Sequence, residues 1–316
     1  MILTSPTLFR YARIMRKFVV SAVVVDVIIS AVILFYPSRQ VLGAKTTSDT
    51  PDLPTYMAEK GESKTHALQS FGRLLTESTP SATPQASPVP SPTPKPLAKS
   101  SYTIALLGDS MIDTLGPDLP NLKSILSGQY PGINFKLINY GAGATNIESG
   151  LDRLTNATTY LDQVRPPLLS LDPDIVVVES FAYNHWDNTP SDLDRQWQDI
   201  SKIIETIKNH PPAGGPGTKI VLAAAIAPFC PTYTDGSANL PPERKSLECA
   251  TVKAYLQNLV NFATSQGYPL ADSYHASLSG SEGNPLYINQ SDHIHASQEG
   301  KALFSQKIAG AIGQVL

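Results

Sequence analysis

Tyr102-Thr103-Ile104-Ala105-Leu106-Leu107 is an apolar run that stops at Gly108-Asp109-Ser110. Near-continuous apolarity of this kind suits a strand covered on both faces, and the glycine and aspartate after it suit a tight strand-to-helix turn. Four more runs share the texture, at residues 134–139, 175–179, 220–225 and 268–271. Helical patterns lie between them at 119–126, 147–164, 191–209 and 247–266, and a last one covers 297–312. The alternation predicts an α/β fold, a three-layer α/β/α sandwich around a five-stranded parallel sheet. No internal repeat interrupts it, and residues 101–316 are enough to bury a core of their own.

Upstream of this domain the chain has a different character. Residues 18–36 carry a single charge, Asp26, and are long enough as a helix to cross a hydrocarbon core of about 30 Å. An aspartate near the centre costs about 2.5–3.5 kcal/mol on insertion scales, which the surrounding Val, Ile, Leu and Phe offset. Residues 1–17 hold Arg10, Arg13, Arg16 and Lys17 with no acid, so positive-inside bias places them in the cytoplasm. The expectation is a single-pass anchor in the cytoplasmic membrane, N-terminus inside and the domain outside. The small residues of Val41-Leu42-Gly43-Ala44 keep open a cleaved signal and a secreted product. A buried helix of a globular core is a third reading. Residues 37–100 form a Pro/Ser/Thr-rich linker; seven of the chain's 27 prolines fall between Pro80 and Pro96, a composition that favours extended polyproline geometry. A short helix at 65–75 is compatible with the pattern.

A formal net charge of −3, with only 16% charged residues, offers no basic surface for a nucleic-acid backbone. The two cysteines, Cys230 and Cys249, have no zinc spacing. In an exported domain they can join across the polar loop between them; a buried pair of free thiols is the alternative.

In a doubly wound sheet, chemistry collects beyond the carboxyl ends of the strands. Four ends here are unusual. The first presents Ser110 at a tight turn with its own N–H free to face a ligand; Gly-Asp-Ser is also ordinary turn and cap chemistry. The second runs into Asn139-Tyr140-Gly141-Ala142-Gly143, where backbone amides can approach a substrate oxygen unobstructed. The third continues as Glu179-Ser180-Phe181-Ala182-Tyr183-Asn184-His185, and the Asn184 amide can donate to a developing oxyanion. Near the C-terminus, Asp292-His293-Ile294-His295 spaces a carboxylate and an imidazole so that they meet within one turn.

Together, and in this order, the four pieces resemble the SGNH hydrolases, also called the GDSL family of esterases, lipases and acyltransferases. The resemblance spans the whole domain and implies a flavodoxin-like arrangement of the sheet. It implies Ser110 as nucleophile, His295 as general base and Asp292 as its orienting carboxylate. The oxyanion hole would be the N–H groups of Ser110 and Gly143 with the side chain of Asn184, and no cofactor or metal would be needed. Asp109, Tyr183 and His185 are the expected substrate contacts, with Trp186 open between pocket and packing. The stretch from His295 to Gly300 also resembles the family's run into its last helix, with Ala296 where proline is common. Departures are visible: Ala182-Tyr183-Asn184-His185 stands where Gly-x-Asn-Asp is usual, and the glycine turn is one residue short, leaving Gly141 as a second candidate donor. A second pair, Asp272 and His275, competes for the triad but directly follows the fifth strand. His293 and His295 also invite a metal reading, without a third ligand at a recognised spacing.

The implied activity is a membrane-anchored extracytoplasmic serine esterase, removing acyl groups such as acetyl from cell-envelope or extracellular glycans or from small esters. An O-acyltransferase would use the same triad, and a non-catalytic surface binding protein would keep only the fold. Oligomeric state is not legible.

Overall fold

The computed structural model describes residues 97–212 and 217–316. The basic arm, the expected membrane segment, the helix at 65–75 and nearly all of the linker lie outside them. Among the described residues no helix is long and apolar enough to cross a membrane.

Five parallel strands form the central sheet: β1 (Ser101–Gly108), β2 (Asn134–Gly141), β3 (Ile175–Glu179), β4 (Lys219–Ala224) and β5 (Leu270–Asp272), in the spatial order β2-β1-β3-β4-β5. The order reverses at β1, which has β2 on one side and β3 on the other. A crevice therefore opens beyond its carboxyl end, where Gly108 is level with Gly141 of β2. Every residue of β3 is buried, as are five of the six of β4, which is why these strands read as uninterrupted apolar runs.

Five helices cover the sheet: α1 (Pro120–Gln129), α2 (Ile147–Thr155), α3 (Pro190–Lys208), α4 (Pro242–Gln266) and α5 (Gln298–Ile312). α1 packs on α5, whereas α2 packs on α3 and α3 on α4, giving the two outer layers of the sandwich. Their starts follow local chemistry. Asn146, Thr189 and Ser297 cap α2, α3 and α5 by accepting from backbone N–H groups three residues on. Proline opens α1, α3 and α4. Leu119, expected inside α1, is instead its cap in the left-handed region (φ 47°), and α4 starts five residues earlier than the apolar pattern suggested.

One element differs in kind. The helical pattern expected to continue to residue 164 stops at Thr155, where Asn156 takes extended backbone. Thr158–Tyr160 and Gln163–Arg165 then form an antiparallel hairpin. Its two turn residues, Leu161 (φ 49°) and Asp162 (φ 60°), are both left-handed, the conformation of a type I′ turn that matches strand twist. Thr158, Thr159 and Val164 are β-branched and favour the pleat over the helix.

Cys230 and Cys249 are joined by a disulfide. It ties the 3₁₀ turn Cys230–Thr232 to the buried face of α4, across a sequence separation of 19 residues. Closing such a loop contributes about 3 kcal/mol in the chain-entropy account. Replacing both cysteines by alanine is expected to lower the thermal midpoint by about 6–12 °C; a midpoint within 2 °C of the parent would show that the loop is held without the bond.

Candidate active site

At the end of β1 only a glycine fits. A Cβ on Gly108 would lie 2.3 Å from Ile112 Cγ1 and 2.8 Å from Glu179 Cβ. The chain then enters the one-turn helix Ser110–Asp113, capped by Asp109, whose Oδ1 accepts from Met111 N–H at 2.8 Å. Asp109 Oδ2 accepts from Asn184 Nδ2 at 2.9 Å. Asp109 is fully buried, so the expectation that it touches substrate is corrected: it stands behind Ser110 and orients Asn184. Burial raises its pKa, against the opposing pull of the Met111 and Asn184 donors and of the His295 and Arg153 charges. Ser110 itself is partly exposed.

The ends of β2 and β3 converge on this turn. The position a Cβ on Gly143 would take is 3.8 Å from Ser110 Cβ. Gly141 N–H donates to Asn139 Oδ1 at 2.9 Å. A side chain there would also strike the backbone of Asp113 at 2.2 Å. Gly143 N–H is engaged as well, by the Tyr160 hydroxyl at 2.9 Å, so its nearness to Ser110 rather than its bonding favours it as the donor. Asn184 ends a short turn opened by Phe181 in the left-handed region (φ 53°). With one amide hydrogen on Asp109, its other one remains for a ligand.

The neighbours of Asn184, which are partly exposed, have partners within the protein. The Tyr183 hydroxyl donates to Ile226 O at 2.9 Å. His185 has Nδ1 against Trp186 O and Nε2 3.4 Å from Glu248 Oε2 on α4, with its side chain 10% exposed. The Arg195 guanidinium lies 3.9 Å over the Trp186 ring. Each of these side chains braces the loop, because its polar atoms or its ring face already have partners.

Asp292 and His295 meet as their spacing predicts. Oδ1 of Asp292 accepts from the N–H groups of Ile294 and His295, each at 2.9 Å, and Oδ2 faces His295 Nδ1 at 3.0 Å. That leaves Nε2 as the outward-facing nitrogen. Partial burial alone would raise the Asp292 pKa; the two backbone donors and the His295 ring outweigh it and hold the carboxyl below its ordinary value. The turn is braced from the disulfide-closed excursion. Ser237 Oγ donates to Asp292 O at 2.9 Å and Thr234 N–H to His293 O at 3.4 Å. Ser110 Oγ and the His295 ring are not hydrogen-bonded to each other among the described residues; such contacts commonly tighten only when substrate binds.

The competing pair forms too. His275 Nδ1 lies 2.8 Å from Asp272 Oδ2 on the one-turn helix Ser273–Ala276. It sits beyond β5, three strands from β1, or about 14 Å at the usual strand spacing. Among the described residues His293 joins no cluster of metal-ligating groups. The one such cluster among the described residues is Cys230, Cys249 and Glu282, and its two sulfurs are bonded to each other.

Two buried charges beneath the site were not anticipated. Arg153 of α2 is 2% exposed, and it donates to Gly108 O (3.1 Å), to Tyr140 O and to Thr145 Oγ1 (3.3 Å). It thereby ties together the carboxyl ends of β1 and β2, and burial lowers its pKa to about 10. Glu179, the last residue of β3, accepts from Ser180 Oγ and from Phe181 N–H at 2.8 Å. Burial, then the Asp109 charge, push its pKa well above the usual carboxylate range. A carboxyl whose pKa is raised on folding stabilises the fold below its unfolded value and loses that contribution as pH rises through the folded one. The parent's thermal midpoint is therefore expected to fall as pH climbs above the ordinary glutamate range, and Glu179→Gln to flatten that slope. Identical slopes in parent and variant would show that Glu179 is not the titrating group.

No protein-family model matches the chain, and no curated protein matches it. Solved structures similar to it include a lipase/acylhydrolase from Enterococcus faecalis, 18% identical over 68% of this chain and 97% of that one, with a TM-score of 0.48. A GDSL-like lipase from Bacteroides thetaiotaomicron is 17% identical over 71% of this chain and 93% of that one, with a TM-score of 0.48. An acetylxylan esterase from Geobacillus stearothermophilus is 15% identical over 67% of this chain and 94% of that one, with a TM-score of 0.45. Likeness at this level transfers no activity.

Proposed function

We propose that this chain is a serine esterase of the SGNH, or GDSL, type, with Ser110 as nucleophile, His295 as general base and Asp292 as the carboxylate that orients it. The observation that carries the reading is the 2.9 Å bond from Asn184 to Asp109. It ties the Asn184 side chain, from the loop after β3, to the residue that precedes Ser110, and leaves one amide hydrogen over for a ligand. The 3.0 Å pairing of His295 with Asp292 supports the same reading from the other end of the domain.

In this mechanism Ser110 Oγ attacks the ester carbonyl carbon while His295 Nε2 takes the hydroxyl proton. Asp292 steadies the resulting imidazolium at Nδ1. The carbonyl oxygen gains the negative charge and is met by the Ser110 N–H, the free hydrogen of Asn184 and the Gly143 N–H. Collapse of the tetrahedral intermediate expels the alcohol, which takes its proton from His295. Water, deprotonated by the same imidazole, then attacks the acyl-serine; the serine leaves with the returned proton, and a carboxylic acid is released.

The substrates proposed are acylated, above all acetylated, glycans of the cell envelope or its surroundings, and small esters. Residues 18–36 are proposed to anchor the chain in the cytoplasmic membrane with the domain outside, or to be removed on export. The Cys230–Cys249 bond suits that placement, since such bonds persist in oxidising compartments. Labelling with a fluorophosphonate, compared between the parent and Ser110→Ala, tests the assignment. A Ser110-dependent adduct is expected, and its absence would favour a binding protein. Product analysis of an acetyl ester with and without an added alcohol then separates hydrolysis from transfer.

A further inference from the structure

One of the three donors assigned to the oxyanion is already engaged. Tyr160 Oη accepts from Gly143 N–H at 2.9 Å while donating to Asp113 Oδ2 at 2.8 Å. Tyr160 belongs to the hairpin that replaces the end of the expected helix, and Arg165 of its second strand holds it in place. The Arg165 guanidinium lies 4.6 Å over the Tyr160 ring and donates to Gly141 O at 2.7 Å. Burial raises the Tyr160 pKa, and the Asp113 carboxylate adds to the effect against the Gly143 donor. The hydroxyl thus keeps its proton for Asp113 and turns a lone pair toward Gly143. On the proposed assignment, an oxygen of the protein's own thus holds the N–H that the carbonyl oxygen of an ester would use.

The geometry points to Tyr160 as a further specificity-determining residue: its hydroxyl competes with the substrate carbonyl for the Gly143 N–H, so an ester must displace it to complete the oxyanion hole. This inference rests on the esterase reading of Ser110. The displaced hydroxyl is absent from both the bound complex and the transition state, so the competition falls on binding and leaves the chemical step alone. Apparent KM is raised by the inverse of the fraction of molecules in which Gly143 is free, while kcat is unchanged. Beside the hydroxyl lies a cavity of about 340 Å³ lined by Asp113, Pro117, Tyr160, Gln163 and Arg165, among others. Its lining carries both hydrogen-bond donors and acceptors. A polyhydroxylated alcohol portion that reaches it offsets the displacement; a small ester does not. The site thereby disfavours small esters relative to glycan esters.

The test uses the full chain with p-nitrophenyl acetate. Tyr160→Phe keeps the ring against Arg165 and removes the competing oxygen. KM is expected to fall about 2- to 10-fold, the range set by one net hydrogen bond, with kcat unchanged. Asp113→Asn weakens the acceptor of the Tyr160 proton and is expected to move KM in the same direction by a smaller factor. An unchanged KM in both variants, or a lower kcat in Tyr160→Phe at an unchanged melting midpoint, overturns the inference. Ser110-dependent turnover in the parent with an unmoved KM removes the competition alone. If parent and both variants lack Ser110-dependent turnover and fluorophosphonate labelling, the esterase reading falls and the competition with it.

Discussion

Ser110→Ala is expected to lower kcat on an acetyl ester by about 10⁴- to 10⁶-fold, and His295→Ala by a similar factor, with KM little moved. In the proposed mechanism the two groups act as one device. A serine hydroxyl is a weak nucleophile until a base takes its proton, and a base in this position has no other proton to take. The combined variant is therefore expected to be no worse than either single one. Asp292→Asn should cost less, about 10⁴-fold, because it removes orientation and charge stabilisation while leaving the base. Single-turnover kinetics with all four proteins would check the pattern. Two single losses that multiply in the double variant, or a His295→Ala protein that keeps a tenth of parental turnover, would break the link between the serine and the imidazole.

Asn184→Ala is expected to reduce kcat by about 10²- to 10³-fold, as removal of an oxyanion donor does in comparable chemistry, with a smaller effect on KM. The split follows from where charge develops: the carbonyl oxygen of bound ester is nearly neutral, and only in the transition state does it need the full strength of the donor. Asn184 also satisfies the buried carboxylate of Asp109 at 2.9 Å. Its loss should destabilise the fold by about 1–3 kcal/mol through the partner left behind. Activity is accordingly compared well below the variant's melting midpoint. Retention of full turnover would show that Asn184 only buttresses Asp109.

The parts of this architecture set by local pattern were legible in the sequence. Apolar runs mark strands covered on both faces, so β1 to β5 were found within a residue or two. The Asp292–His295 contact spans three residues and needs only one turn to form. Where partners come from distant segments, the sequence is silent. Tyr160 meets Gly143 only because the chain doubles back after α2, through two left-handed residues, Leu161 and Asp162, that carry no glycine to announce them. Nothing in the local pattern around Arg153 and Glu179 announces their burial, which strand-end carbonyls and loop donors make possible. Asp109 and His185 were expected to reach substrate on adjacency to Ser110 and Asn184. Adjacency along a turn says little about direction, and both point into the protein.

The covalent link between Cys230 and Cys249 closes the same excursion from which Thr234 and Ser237 grip the carbonyls of His293 and Asp292. Thiol status and the geometry of the Asp292–His295 turn are thereby mechanically joined. A polypeptide still in its reduced form would lack the link that holds this excursion against the Asp292–His295 turn, so on the proposed mechanism its imidazole would stay unbraced until oxidation.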